Sequence, residues 1–339
     1  MSAGEAAWLA AVVSGLGAAV SGEGVLRGIG DDAAVLALPA GESLIATVDM
    51  VVEGQHFERR GPRAATPADI GWRALAVSQS DIAAMGGRPL WALSSLGVPD
   101  GMTAAEVEAL CAGLAEAAAA YGTAVVGGNL ARNPERLVLD VTVLGAARRP
   151  LSRAGARPGD LVGVTGRLGA AAAGLALLRG GERLRAACGA AAGECLQAQR
   201  RPQPRVAEGL ALGALGPQGV RAMCDVSDGL AIDLARLCGG TLGAVLWREA
   251  LPVPAAVRAA AACAGEDALQ WALHGGEDYE LLCAVAPEAA SAAPRAVARA
   301  GGALHLIGEF TATPGELRLA ARRGGRGGPL PASGWDPFA

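Results

Sequence analysis

Between Arg148 and Asp160 the chain carries two prolines, two glycines and four arginines. Such a stretch can continue neither a helix nor a central strand. Strand-like and helix-like segments alternate on both sides of it. The 339 residues therefore divide into two domains, 1–148 and 149–339, each long enough for a core of its own. The expected class is α/β (α+β), with each domain a mixed sheet packed with helices.

The first half opens with helical spacing over 5–20 (Trp8, Leu9, Val12, Val13, Leu16). A strand over 44–49 ends in Asp49. Thr66-Pro67 supplies an N-cap and an N1 proline for a helix running to about Met85. Asp81 lies in line with that helix's apolar stripe (Ile70, Ala74, Val77, Met85). Strands are expected over 90–98, over 123–126 before a Gly127-Gly128-Asn129 loop, and over 137–144. A capping box at Thr103–Glu106 starts a helix reaching about Tyr121. The second half reads as a strand at 161–165, helices over 169–178 and 180–200, and a strand ending at Asp225. Ser227 is expected to cap the helix that follows. A strand over 280–285, a helix over 287–300 and a strand over 304–307 precede a tail rich in Gly, Pro and Arg. No internal repeat is evident.

All 29 basic residues are arginine, and lysine is absent. This excludes a Schiff-base lysine and a Walker lysine. The net charge of −4 and the lack of a basic run argue against nucleic acid as a partner. The seven cysteines contain no Cys-x-x-Cys pair and read as small apolar residues of a reducing compartment. No signal peptide and no 18-residue apolar span is seen, so a cytoplasmic protein with no membrane partner is expected.

Carboxylates recur at turns and strand ends. Gly28-Ile29-Gly30-Asp31-Asp32-Ala33 matches the dinucleotide pattern Gly-x-Gly-x-x-Ala superficially. Two aspartates inside that loop would repel an unshielded pyrophosphate, so a cation site or an ordinary acidic turn is the better reading. Asp49 could be a ligand or a turn residue, and Asp81 could face a metal or an arginine such as Arg73 or Arg88. Asp225 and Asp228 sit at a helix start, where Asp228 and Ser227 could also serve as caps. Gly128 could admit phosphate to its backbone or form a plain turn. Arg153 could clamp phosphate or be a linker charge. Scattered aspartates suit Mg²⁺, which takes one or two carboxylates along with waters and phosphates. Three histidines far apart give zinc no ligand set.

The ordered set of motifs resembles the thiamine-monophosphate kinase family, within the aminoimidazole-ribotide synthetase-like enzymes. The matching stretches are GIGDDAAVL (28–36), TVDMVVEGQHF (47–57), ALAVSQSDIAAMGGRP (74–89), VVGGNLAR (125–132), LSRAGARPGD (151–160), VTGRLGAAAAGL (164–175), RPQPR (201–205), CDVSDGLAIDL (224–234), HGGEDYELL (274–282) and GWDPF (334–338). The resemblance implies ATP-dependent phosphorylation of thiamine monophosphate to thiamine diphosphate, with several Mg²⁺ ions. It also implies a homodimer that pairs its N-terminal sheets, and a C-terminal domain that completes the active site. Carried onto this chain, the metal ligands are Asp31, Thr47, Val48 through its backbone, Asp49, Asp81, Asn129, Asp225 and Asp228. Gly128, Asn129, Arg153 and Ser227 are expected to contact ATP, and His56, Glu277 and Trp335 the thiamine phosphate. The chemistry is expected to centre on Asp49, Asp81 and Arg153. Val48 and Asn129 depart from the family pattern, which often has a hydroxyl and a carboxylate there.

Overall fold

The structure is a computed structural model and describes residues 5–30 and 33–335. It separates into two compact units, Met1–Ile82 with Arg88–Arg148 and Ala83–Gly87 with Arg149–Ala339.

The first unit is built on a four-stranded sheet in the order β3-β6-β4-β5. The strands are β3 (Ser43–Val52), β4 (Arg88–Val98), β5 (Ala124–Arg132) and β6 (Val138–Ala147). All pairs are antiparallel except β4–β5, which is parallel and is joined through α3 (Ala104–Tyr121). Helix α1 (Glu5–Leu16) lies on α3, and α2 (Pro67–Ala84) packs on the sheet through Ser78, whose hydroxyl donates to Val141 O over 3.0 Å. A small antiparallel ribbon, β1 (Val25–Arg27) with β2 (Val35–Leu36), flanks the acidic stretch. Asp31 and Asp32 themselves lie outside the described residues.

Strand β3 shows the period of two that a half-covered sheet imposes. Ile45 and Val51 are buried, whereas Leu44, Val48 and Met50 are 53%, 56% and 52% exposed. Thr47 and Asp49 therefore share the covered face with Ile45 and Val51, between sheet and helices.

The second unit holds a seven-stranded sheet in the order β13-β12-β9-β11-β7-β10-β8. Its strands are β7 (Leu161–Thr165), β8 (Val220–Asp225), β9 (Gly243–Trp247), β10 (Leu281–Val285), β11 (Leu304–Thr311), β12 (Leu317–Ala320) and β13 (Gly328–Pro329). β7 and β10 are buried along their whole length, as central strands covered on both faces must be. One apolar cluster joins the sheet to α8 (Leu230–Cys238) and α10 (Ala268–His274). A second joins α4 (Ala170–Arg179), α5 (Gly181–Cys188), α6 (Ala190–Arg200), α9 (Ala255–Ala264) and Trp271. Helices α7 (Val206–Gly213) and α11 (Ala292–Arg299) pack on each other.

Several local expectations are corrected. The strand expected to stop at Val126 continues through Gly127-Gly128-Asn129 to Arg132, because β4 pairs with it as far as Val98. The single helix expected over 180–200 is two, broken at Gly189 (φ 54°, ψ −130°). Helix α7 and strand β9 lie where no element was expected, and the tail contributes β12 and β13. Six of the seven cysteines are buried, and Cys263 is exposed. Among the described residues no helix is long and apolar enough to cross a membrane.

Candidate functional site

In the first unit the covered face of β3 brings Thr47 and Asp49 against α2. Thr47 Oγ1 donates to Asp81 Oδ2 over 2.5 Å. Arg88, one partner considered for Asp81, instead bonds Glu23 at 2.9 Å and Glu42 at 3.0 Å. Burial pushes the Asp49 carboxyl up to about 6. The charges of Asp81 and Asp140 push the same way, opposed by the nearby Ser78 hydroxyl. Asp49 Oδ2 is buried with no hydrogen-bond partner among the described residues. A buried carboxylate oxygen without a donor, beside a second carboxylate, is costly unless a cation or proton neutralises it. This set of hard oxygens fits Mg²⁺. Among the described residues no three or more His, Cys, Asp or Glu form a ready-made cage.

Register extends the same row across the sheet. Asp49 pairs with Val141, Val141 with Ser94, and Ser94 with Gly128. Gly128 thus shares the face of Asp49. A Cβ there would lie 1.9 Å from Ser94 O, so only glycine fits. The next row is Met50, Asp140, Ser95 and Asn129. By the pleat, the Asn129 side chain leaves on the opposite face from Asp49. Val48 also sends its side chain to the open face, leaving only its backbone as a donor. His56 closes the turn after β3. Its Nδ1 accepts from Val52 N over 3.0 Å, which places the ring proton of the neutral imidazole on Nε2.

In the second unit the site residues gather where β8 ends. Asp225 is buried at the last position of β8. Ser227 is not the cap expected of it. Asp233, one turn into α8, accepts from the backbone N–H groups of Ser227 (3.1 Å), Asp228 (3.0 Å) and Gly229 (3.2 Å). Its carboxylate satisfies the turn from within the helix, and Arg236 holds both Asp233 and Asp228. The loop from α10 to β10 runs alongside: Glu277 N donates to Ser227 O over 2.7 Å and Tyr279 N to Val226 O over 2.9 Å. The tail arrives at the same turn. Trp335 N donates to Asp228 O over 2.9 Å, Ser333 Oγ bonds His274 Nδ1 at 2.9 Å, and Trp335 is 44% exposed. Ser152 O accepts from Met223 N over 2.9 Å, so Arg153 lies beside the end of β8, where its charge acts on buried Cys224. Arg153 makes no ion pair among the described residues. One end of one strand therefore assembles Arg153, Asp225, Ser227, Asp228, Glu277 and Trp335.

Glu277 (φ 68°) and Tyr279 (φ 49°) occupy the left-handed region. Each costs on the order of 1–3 kcal/mol outside glycine, and such strain collects at functional sites. Between them, Asp278 accepts from Gly169 N (2.6 Å) and Ala171 N (3.3 Å) and so caps α4. These anchors (Asp233, Asp278 and Glu280 with Arg205) have no local signature. Their partners are chosen by the packed sheet.

The chain matches two family models, the AIR synthase related protein N-terminal domain over residues 30–147 and the corresponding C-terminal domain over 157–319. It is 36% identical over 318 residues to the thiamine-monophosphate kinase of Escherichia coli O157:H7, covering 92% of each chain. It resembles the crystal structure of thiamine-monophosphate kinase from Stenotrophomonas maltophilia K279a with a TM-score of 0.80, at 34% identity over 95% of this chain and 98% of that one. A structure of AaThiL complexed with AMPPCP and TMP gives a TM-score of 0.73 at 28% identity, over 96% of each chain. The two-domain fold, the motifs along it and these similarities together place the chain in the thiamine-monophosphate kinase family, as a kinase.

Proposed function

We propose that this chain transfers the γ-phosphoryl group of ATP to thiamine monophosphate, giving thiamine diphosphate and ADP, with Mg²⁺. The observation that carries the reading is the donor-less Asp49 oxygen beside Asp81, in a chain similar to a protein solved with AMPPCP and TMP. Asp31, Thr47, the Val48 backbone, Asp49 and Asp81 of the first unit, and Asp225 and Asp228 of the second, are the residues that would hold Mg²⁺. Asn129, whose side chain leaves on the opposite face, could join this set only through its backbone. The bound ion supplies charge neutralisation between two phosphate groups that otherwise repel.

The chain's own residues do the rest. The backbone at Gly128 and Asn129 and the Ser227 hydroxyl bind nucleotide. The Arg153 guanidinium neutralises and aligns transferring phosphate oxygens for in-line displacement. His56, Glu277 and Trp335 take the thiamine phosphate, with the Trp335 ring stacked on its organic cation. The acceptor is a phosphate monoester whose second ionisation lies near pH ~6, so its attacking oxygen is already anionic at neutral pH. No general base is needed, and none is evident. Leu44, Val48, Met50 and Leu93 leave an apolar face on the open side of the first sheet, and a homodimer formed through that face would cover it.

The test is acceptor-dependent ADP release from ATP and Mg²⁺. Thiamine monophosphate should stimulate it far more than thiamine or an unrelated phosphate monoester. Equal stimulation by all acceptors counts against the reading.

A further inference from the structure

We infer that the buried Arg205–Glu280 pair is the positioning device for Glu277, and so governs how tightly the phosphorylated acceptor is held; this rests on the function proposed above. Glu280 is 1% exposed. Arg205 grips it in a bidentate pair, Nε to Oε2 and Nη2 to Oε1, both at 2.7 Å. Thr165 Oγ1 donates to it over 2.8 Å and Arg167 N over 2.9 Å. The strand end at Thr165 is shaped around it: a Cβ on Gly166 (φ +54°) would lie 2.1 Å from Glu280 Oε1.

A buried ion pair is seldom the most stable way to fill a core, since apolar residues of the same volume often serve as well. What this pair provides is direction. Glu280 O accepts from Val226 N over 2.7 Å, directly beside the turn that carries Ser227 and Asp228. Upstream of it the chain must take two left-handed residues, Tyr279 and Glu277, within three positions. Asp278 is drawn to the start of α4 and Glu280 to Arg205, and these two anchors leave Glu277 against Ser227. Arg205 stands at the end of the RPQPR stretch, where two prolines restrict the backbone before α7. Neither Arg205 nor Glu280 need touch a substrate. They act through Glu277.

The test compares Arg205→Lys and Glu280→Gln, each alone and combined with Glu277→Ala. Lysine keeps the charge of Arg205 but cannot form the fork. Arg205→Lys should raise KM for thiamine monophosphate about tenfold while KM for ATP stays within about twofold, and its effect should vanish in the Glu277→Ala background. Equal rises in both KM values, or an undiminished effect without the Glu277 carboxylate, would overturn the inference. Glu280→Gln, which keeps the side-chain shape, carries the same test if Arg205→Lys does not fold. Crystals of either variant decide independently of activity. Glu277 should leave its positive φ and lose the bond to Ser227 O; an unchanged loop overturns the positioning role. A wild-type protein that does not turn over thiamine monophosphate would instead overturn the proposed function.

Discussion

Thr47 on β3 gives its hydroxyl to Asp81 on α2, while Asp49 Oδ2, two residues further along the same strand, is buried without a donor among the described residues. Strand and helix are tied together by one acid, and the neighbouring acid is the one proposed to take the cation. Asp49→Asn removes that acid and its repulsion with Asp81. It should lower kcat by about 10³-fold, the scale seen when one charge-stabilising contact is lost. The melting temperature should hold or rise. A collapse of the melting temperature would make Asp49 structural.

The pH behaviour follows from the same residue. The Asp49 carboxyl sits at about 6, above the ordinary 3.8. The folded, metal-free protein therefore holds a proton more tightly than the unfolded chain. That stabilisation is complete below pH 3.8 and is lost as pH rises through 6. A divalent cation must displace the proton, so its stabilising increment should grow over the same interval. Calorimetry with and without Mg²⁺ checks this, and in Asp49→Asn the pH slope should flatten.

Asp233 holds three backbone N–H groups at the start of α8. Asp233→Ala should destabilise by about 2 kcal/mol through loss of this cap, read by urea denaturation. It should also weaken nucleotide binding, because Ser227 and Asp228 ride on the same turn.

Trp335 is anchored by its backbone to Asp228 while its ring remains partly exposed. Trp335→Ala should raise KM for thiamine monophosphate about tenfold, the worth of one cation–π contact, and leave that for ATP nearly unchanged. Equal effects on both would assign the ring a packing role.

Leu44 is 53% exposed on the open face of the first sheet. Leu44→Arg should convert a dimer to a monomer in light scattering, at unchanged far-ultraviolet circular dichroism. A wild-type protein that is already monomeric would remove that face from the account.

What was legible in the chain was local. The reciprocal capping box of Thr103 and Glu106 is decided within a few residues and reads correctly, whereas the strand expected to end in Asp49 runs on to Val52 because β6 pairs with it that far. Gly127-Gly128-Asn129 reads as a loop because glycine weakens a strand; pairing with Leu93, Ser94 and Ser95 of β4 makes it one. Ser227 is a sound cap by type, yet Asp233 takes the N–H groups from inside the helix. Arg205 and Glu280 lie 75 residues apart, and no periodicity joins them. The site residues were named by family resemblance. Composition contributed the absence of lysine, which directs attention to arginine and metal.

The central claim is tested most directly by phosphorus NMR of the purified protein with ATP, thiamine monophosphate and Mg²⁺. Thiamine diphosphate should appear in step with ADP, and neither should form when the divalent cation is chelated. ADP without thiamine diphosphate, or diphosphate formed at full rate in the presence of chelator, would contradict the account.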